Sequence, residues 1–326
     1  MQNAPTAQAL WYVAPGRAEI REEKLGPLAS GQVRMRAQFG ALSRGTEALV
    51  MAGRVPASEF ARMRAPFMVG SFPFPVKYGY SVVGVVEEGP PALRGKTAFV
   101  LHPHQNILDV PVSAVVPLPD GVPPQRAVLA ANMETALNAI WDAAPTGRVA
   151  IVGAGTVGAL VAFQCARISG VETTLIDINP ARAALAQKLG VKFATPGEAP
   201  ADCGLVFHAS GTAAGLATAL SLAAFEATVV ELSWYGDAPV PVPLGGAFHS
   251  RRLRLMSSQV GHVAPSHRAE WSHARRLAAA VAMLADDRLD ALLAPAVAFG
   301  DLPSRLPDIL APKSGVLCQS IAYPTQ

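Results

Sequence analysis

The hydrophobic rhythm of the chain changes near residue 120. Before that point, short apolar runs at Val33 to Phe39, Ser81 to Glu87 and Thr97 to Leu101 alternate with Gly and Pro punctuation, which predicts strands joined by turns. Pro73 and Pro75 bracket one turn, Pro90-Pro91 marks another, and Pro117-Leu118-Pro119-Asp120-Gly121 closes the stretch. Beyond it, Ala127 to Ala144 carries the apolar spacing of a helix. Arg148 to Val152 predicts a strand, followed by a glycine-rich turn and a helix to about Ser169; Thr173 to Ile176 predicts a second strand and Pro180 to Leu189 a second helix. Strand signals recur at Gly204 to His208, Thr228 to Leu232 and Leu253 to Ser258. Strands that alternate with helices imply a parallel sheet covered on both faces. A long helix over Ala269 to Ala285 follows, then strands near Leu292 to Ala298 and Val316 to Ile321 that flank a last helix. Thr212 to Leu232 is apolar enough to resemble a membrane span, but Gly215 and Glu226 interrupt it, and it reads as a helix followed by a buried strand.

Composition narrows the class. A chain of 326 residues, half of them apolar, is long enough for two cores. The net charge of +3 is small. The densest basic cluster, Arg251, Arg252 and Arg254 with Arg275 and Arg276 further on, reads as solvated faces, so no nucleic-acid partner is expected. Cys165, Cys203 and Cys318 are widely spaced and form no CxxC, so neither a disulfide framework nor a structural zinc lobe is indicated. Met1 to Gly16 has no basic stretch leading into an apolar run. The expectation is a cytoplasmic protein acting on a small molecule, with no membrane partner.

The glycine-rich turn reads Gly153-Ala154-Gly155-Thr156-Val157-Gly158, a GxGxxG between a strand and a helix, and Asp177 ends the next strand roughly 20 residues on, as the dinucleotide fingerprint requires. Each residue type has a task. Gly153 permits the tight turn, Gly155 lets backbone approach a pyrophosphate, and Gly158 lets the helix sit close to the sheet. Free N–H groups at the helix start, including those of Thr156 and Val157, attract phosphate. Asp177 accepts hydrogen bonds from ribose hydroxyls and repels a 2′-phosphate, which favours NAD(H) over its phosphorylated form. Arg182 is either a solvated helix residue or a contact to such a phosphate. Ser210, which ends the strand Gly204 to His208, is expected to border the adenosine.

On these residues the chain resembles the medium-chain dehydrogenase/reductase superfamily. GALSRGTEALVMAG at Gly40 to Gly53 is similar to the family's catalytic-loop segment, PVKYGYSVVG at Pro75 to Gly84 to its P-x-x-x-G-H-E-x-x-G stretch, and SSQVG at Ser257 to Gly261 to the return into the catalytic domain. SRGTE together with SSQVG is most similar to the branch of bacteriochlorophyllide hydroxyethyl dehydrogenases. The resemblance implies an α/β fold of two domains. One is a GroES-like, partly open β-barrel of residues 1 to 125 completed by 261 to 326, and the other is a Rossmann domain of residues 126 to 260. It also implies a homodimer in which the last Rossmann strand pairs across a two-fold axis, and the apolar run Ala238 to Leu244 is the candidate for that strand.

The departures from the family concern zinc. Counted from Gly53, the family's Cys ligand falls on Arg44, its His-Glu pair on Tyr80 and Ser81, and its later ligand near Ala131, a set that no zinc site uses. Without a metal, a protein group must stabilise the developing alkoxide. Tyr80 either does so or is a packed tyrosine. Thr46 takes the place of the family's proton-passing Ser/Thr, and Glu47 stabilises the loop. Arg44 pairs with the pyrophosphate or anchors an anionic substrate, and Thr135 takes the position that touches the nicotinamide. His102 and His104 lie two apart in an apparent strand, hence on one face, as a proton relay, a metal pair or packed histidines. Trp234 and Tyr235 end a strand and either wall a substrate pocket or pack. Three functions are compatible with these residues: an NAD(H)-dependent alcohol dehydrogenase or ketone reductase without zinc, a zinc-free reductase of quinones or enones, and a nicotinamide-binding redox sensor.

Overall fold

The computed structural model describes residues 5–324. The start of the segment read as free of a leader, Met1 to Ala4, lies outside the described residues. In chain order the strands and helices are β1 (Thr6–Ala14), β2 (Arg17–Lys24), β3 (Gln32–Leu42), α1 (Arg44–Met51), β4 (Val69–Gly70), β5 (Val76–Lys77), β6 (Val82–Glu88), β7 (Thr97–Val100), β8 (Ile107–Pro111), β9 (Val116–Pro117), α2 (Pro124–Ala127), α3 (Ala130–Ala143), β10 (Gly147–Val152), α4 (Thr156–Cys165), β11 (Val171–Ile176), α5 (Ala183–Leu189), β12 (Lys192–Ala194), β13 (Cys203–His208), α6 (Ala213–Leu222), β14 (Ala223–Glu231), β15 (Arg254–Ser257), α7 (His273–Ala282), β16 (Leu293–Ala298), α8 (Leu302–Leu310) and β17 (Cys318–Ala322). They form two compact units. The first takes the chain up to Ala131, Leu277–Asp287 and everything from Leu293 on; the second takes Asn132–Arg276 and Arg288–Leu292.

The first unit is built on two sheets, ordered β2-β1-β5-β4 and β16-β17-β3-β6-β7-β9, with β8 also paired to β3. Strand β3 organises the second sheet. Val33, Met35 and Ala37 are buried along it, and register shifts against β6 at Arg34/Met35 and Ala37/Phe39 bend it so that it serves three partners. Arg34 is buried in the same strand and is satisfied by a bidentate pair with Asp109 on β8, Nε to Oδ1 at 2.8 Å and Nη2 to Oδ2 at 2.7 Å.

The second unit is a parallel six-stranded sheet in the order β12-β11-β10-β13-β14-β15. The order reverses at β10, where β10 neighbours both β11 and β13, and ligands of doubly wound sheets bind beyond the strand ends at such a point. Every residue of α4 from Gly158 to Cys165 is buried, which explains why its sequence is apolar all round rather than striped. Helix α6 covers the sheet through Leu216, Ala219 and Leu220, and its last residue runs straight into β14.

The element types follow the hydrophobic pattern, with five departures. The helix read over Ala127 to Ala144 starts at Ala130, and the short helix α2 that ends at Ala127 precedes it, with Val128 and Leu129 between them. The helix read to Ser169 ends at Cys165, and that read from Ala269 starts at His273. His102 and His104 are not in a strand: the chain from Leu101 to His104 is irregular, so the alternation argument does not apply to them. Ala238 to Leu244 forms no strand either. Its prolines at 239, 241 and 243 remove the amides a ladder needs, and the sheet ends instead on β15. Finally, Arg276 is not on a solvated face. It is 1% exposed, and its guanidinium donates to Glu134 Oε1 at 3.0 Å, Asn138 Oδ1 at 2.5 Å and the carbonyls of Val260 and His262, which fastens the segment after β15 to α3. That fastening keeps residues up to 276 in the second unit, where the sequence placed the boundary at 260.

Candidate active site

At the turn that ends β10, two of the three glycines are required by the local geometry. Gly153 has φ +108°, and a Cβ there would lie 2.6 Å from the Ser210 amide nitrogen. A Cβ on Gly158 would lie 1.9 Å from the Gly153 carbonyl oxygen, so the helix start can sit this close to the turn only without a side chain. Gly155 differs. It caps α4 with φ −76°, a conformation open to any residue, and a Cβ there would meet nothing within 4 Å. Neither backbone strain nor a protein neighbour requires glycine at 155, and the space before the first turn of α4 is open. Thr156 and Val157 form that first turn and are half-buried. Asp177 reaches back to the turn, with Oδ2 accepting from the Ala154 amide at 2.7 Å and Oδ1 from the Asn179 amide at 2.8 Å, which fixes its carboxylate beside the loop. Ile178 follows it at 85% exposure, an apolar side chain presented to solvent beside the turn.

The barrel unit holds a second polar cluster. The N-terminus of α1 brings Ser43 and Thr46 to the Tyr80 hydroxyl, which hydrogen-bonds both side chains. Burial pushes the Tyr80 phenol up to about 12 against the pull of those two hydrogen bonds, so it is a neutral O–H across the physiological range. Tyr80 stands edge-on to Tyr78, whose phenol burial also raises. Beneath this rim lies Glu47, fully buried. Its Oε1 accepts from the Ser43 amide at 2.7 Å, and its Oε2 accepts from the Tyr12 hydroxyl at 2.6 Å and meets His104 Nε2 at 2.9 Å. Gly79 leaves His104 room, since a Cβ there would lie 2.7 Å from Nε2. The other ring nitrogen, Nδ1, is buried and has no hydrogen-bond partner.

Several expectations need correcting here. Arg44 is engaged with backbone at the end of α8. Its guanidinium donates to the carbonyls of Ile309 at 2.9 Å, Ala311 at 2.8 Å and Val316, so it ties α1 to the end of α8. His102 is no proton relay near neutral pH: burial pushes its imidazole down to about 3, its Nδ1 lies 2.9 Å from the Pro103 carbonyl, and it stacks on Phe67. Ser81, at the family's Glu position, is buried and donates to the Val128 carbonyl at 2.7 Å. The Tyr235 hydroxyl donates to Glu231 Oε2 at 3.0 Å, and Trp234 beside it is half-buried. Thr135 is half-buried in α3. The Ser210 hydroxyl lies 2.6 Å from His208 Nε2, and His208 Nδ1 lies 2.7 Å from Glu231 Oε2. Neither His208 nor Glu231 had drawn attention in the sequence.

Among the described residues, no three His, Cys, Asp or Glu side chains gather as a metal ion would need. No helix among them is long and apolar enough to cross a membrane.

Comparison with known proteins places the fold. No family model matches the chain. An L-threonine 3-dehydrogenase of Mesorhizobium japonicum is 35% identical over 86 residues, which is 26% of this chain and 25% of that protein, so the chain matches only about a quarter of the relative's length. Among solved structures, L-idonate 5-dehydrogenase of Escherichia coli superposes with a TM-score of 0.79 at 15% identity, covering 98% of each chain. A short chain alcohol dehydrogenase of E. coli complexed with cofactor NADH gives 0.76 at 16% identity, covering 97% of this chain and 99% of that one. The likeness shows the architecture: a Rossmann unit with a GroES-like unit. The particular activity within that fold is a matter for the residues above.

Proposed function

We propose that the chain is an NAD(H)-dependent oxidoreductase that interconverts a secondary alcohol and a ketone without a catalytic zinc. The observation that carries this reading is the open space before Gly155, at the head of α4 and beside the fixed carboxylate of Asp177. That arrangement suits a pyrophosphate at the α4 amides, ribose hydroxyls on Asp177 and an adenine against Ile178. When bound, the nicotinamide would accept a hydride from the alcohol carbon or return it to the ketone. The protein supplies the oxygen side of the chemistry. Tyr80, kept protonated by burial, donates a hydrogen bond to the substrate oxygen as charge develops there, and Thr46 and Ser43 hold its hydroxyl in place. Arg44, Tyr80, Ser81 and Ala131 at the family's ligand positions support a mechanism without zinc.

The partner in solution is proposed to be a second copy of the chain, met along β15, whose Arg254, Leu255 and Ser257 are exposed at the sheet edge. The three buried, unpaired cysteines fit a reducing cytoplasm; burial pushes the Cys165 and Cys318 thiols up to about 12, which leaves them unreactive. A screen of ketones and secondary alcohols, followed by loss or gain of NADH absorbance, tests the function. Turnover of a ketone supports it. Turnover confined to quinones or enones, or binding of NADH with no turnover of any carbonyl compound, would replace it.

A further inference from the structure

The second unit contains a hydrogen-bonded line of three side chains that the alcohol–ketone chemistry proposed above does not use, although its last member, Ser210, is also the residue expected to border the adenosine. His208 and Glu231 are the last residues of neighbouring parallel strands and stand in register with one another, so the sheet itself sets them side by side. His208 is fully buried, and its Nδ1 lies 2.7 Å from Glu231 Oε2. Burial would raise the Glu231 carboxyl, but His208, together with the Ser233 amide at 2.7 Å, outweighs it and holds the group below the usual carboxylate range. A carboxylate at this distance fixes the tautomer: Nδ1 carries the proton and Nε2 is bare. Nε2 then faces the Ser210 hydroxyl at 2.6 Å, so the serine donates to it. The lone pairs of Ser210 Oγ are met by the Thr212 hydroxyl at 3.0 Å and the Thr212 amide at 3.3 Å, which leaves the hydroxyl proton directed at the imidazole.

The surroundings are shaped to this line. A Cβ on Gly215 would lie 2.0 Å from Ser210 Oγ and 2.8 Å from His208 Nε2, so α6 can approach the pair only with glycine there. Tyr235 donates to the same Glu231 oxygen that meets His208. Ser210 itself is half-buried, with its base hidden behind it. The amides of Ala213 and Ala214 open the first turn of the ten-residue helix α6, where N–H groups have no intrahelical acceptors.

We propose that Ser210 is a base-activated nucleophile, and that Ser210, His208 and Glu231 form an acyl-transfer site for small activated esters. The same order of groups, hydroxyl to imidazole to carboxylate, activates serine on unrelated folds. In the reaction, Ser210 Oγ releases the long contact from the Thr212 amide, and the lone pair so freed bonds to the ester carbonyl carbon while the hydroxyl proton moves to His208 Nε2. The carbonyl π pair moves onto oxygen, where the amides at the head of α6 receive it. Collapse expels the alkoxide, which takes the proton from Nε2 and leaves as the alcohol. Water then attacks the acyl-Ser210 ester with the same proton transfer, releasing the carboxylic acid and restoring the serine. No redox partner is needed; because Ser210 borders the fingerprint turn, a bound dinucleotide would compete with the ester, so the test is run on the chain without added cofactor.

A fluorophosphonate probe tests the proposal on the full chain, with the adduct located by peptide mass spectrometry and hydrolysis of p-nitrophenyl acetate as a second readout. The expected result is an adduct on Ser210 and ester hydrolysis lost in Ser210→Ala. His208→Gln should slow labelling by about 100-fold, the usual contribution of a positioned general base. Glu231→Gln, which keeps the shape of the site, should slow it less. Circular dichroism establishes that each variant is folded. No Ser210 adduct on the folded natural chain, or equal labelling rates in the natural chain and Glu231→Gln, would overturn the proposal.

Discussion

Each unit buries one histidine against one glutamate, and the two pairs are built to opposite ends. In the barrel, Glu47 and His104 meet at 2.9 Å with side chains 1% and 0% exposed, and the far nitrogen of His104 faces no partner. In the Rossmann unit, Glu231 and His208 meet at 2.7 Å, and the far nitrogen of His208 holds the hydroxyl of Ser210. The first pair is closed. Its carboxylate collects Tyr12, the Ser43 amide and His104, and its effect is to anchor the head of α1, from which Ser43 and Thr46 reach Tyr80. The second pair is open at one end, so polarisation can pass from carboxylate to imidazole to a serine that reaches the surface. A buried carboxylate–imidazole contact is thus a brace or a relay according to what occupies the other ring nitrogen.

This contrast can be broken most severely at Glu47. Glu47→Ala removes three hydrogen bonds from a fully buried group and leaves His104 and Tyr12 without their acceptor. The expected loss is about 3–5 kcal/mol in urea unfolding. A loss below about 1 kcal/mol would mean that the pair is not a brace. Next in size is Tyr80→Phe, which keeps the ring and removes the hydroxyl held by Ser43 and Thr46. kcat on the true substrate should fall by about 100-fold or more with NADH affinity nearly unchanged, since one donor to a developing oxyanion is lost. Because the phenol is raised to about 12, kcat should also show no loss from its ionisation as pH passes the ordinary value of 10.0. Full kcat in Tyr80→Phe would move proton donation to another group.

At the open pair, Glu231→Gln should cost only about 1 kcal/mol in urea, because part of the site is wet. The sign of its pH dependence is fixed by the lowered carboxyl. A group whose folded pKa lies below its unfolded value of 4.5 stabilises above that value and loses the contribution as pH falls through the folded pKa. The stability gap between the natural chain and Glu231→Gln should therefore be full at neutral pH and close in acid. A gap that widens in acid would show the carboxyl to be raised instead. The smallest effect is expected at Asp177→Asn, which keeps an acceptor for the Ala154 amide but drops the charge. The preference for NADH over NADPH should narrow several-fold in fluorescence titrations, and an unchanged ratio would remove Asp177 from cofactor choice.

The same contrast marks what a sequence makes legible. The turn Gly153 to Gly158, the strand before it and Asp177 form a pattern confined to one segment, and Gly158 is required by the Gly153 carbonyl within that segment, whereas Gly153 is also required by Ser210, which lies far along the chain. The Tyr80 cluster was half legible: a resemblance pointed to Tyr80, Thr46 and Glu47, and His104 was singled out on a strand alternation that the chain does not have, while Ser43 and Tyr12 went unseen because their parts depend on where α1 and β1 meet. His208 and Glu231 were illegible because their pairing depends on β13 and β14 being adjacent and in register, 23 residues apart in the chain. Arg44 and Arg276 misled for the opposite reason. A long charged side chain in sequence shows its charge but not its acceptors, and here these are backbone carbonyls and a buried glutamate. Ala238 to Leu244 failed as a strand because hydrophobicity was weighed above its three prolines.

The central claim is that the open space before Gly155 receives the pyrophosphate of NADH. Titration of the purified chain with NADH, followed by the change in nicotinamide fluorescence, tests this most directly when run beside Gly155→Val. That variant fills the space with a branched side chain and leaves a backbone of φ −76° that valine adopts without strain. The account predicts saturable binding of one NADH per chain to the natural protein and its loss in Gly155→Val at unchanged thermal stability. Equal NADH binding by the two proteins, or no saturable binding by the natural one, would contradict it.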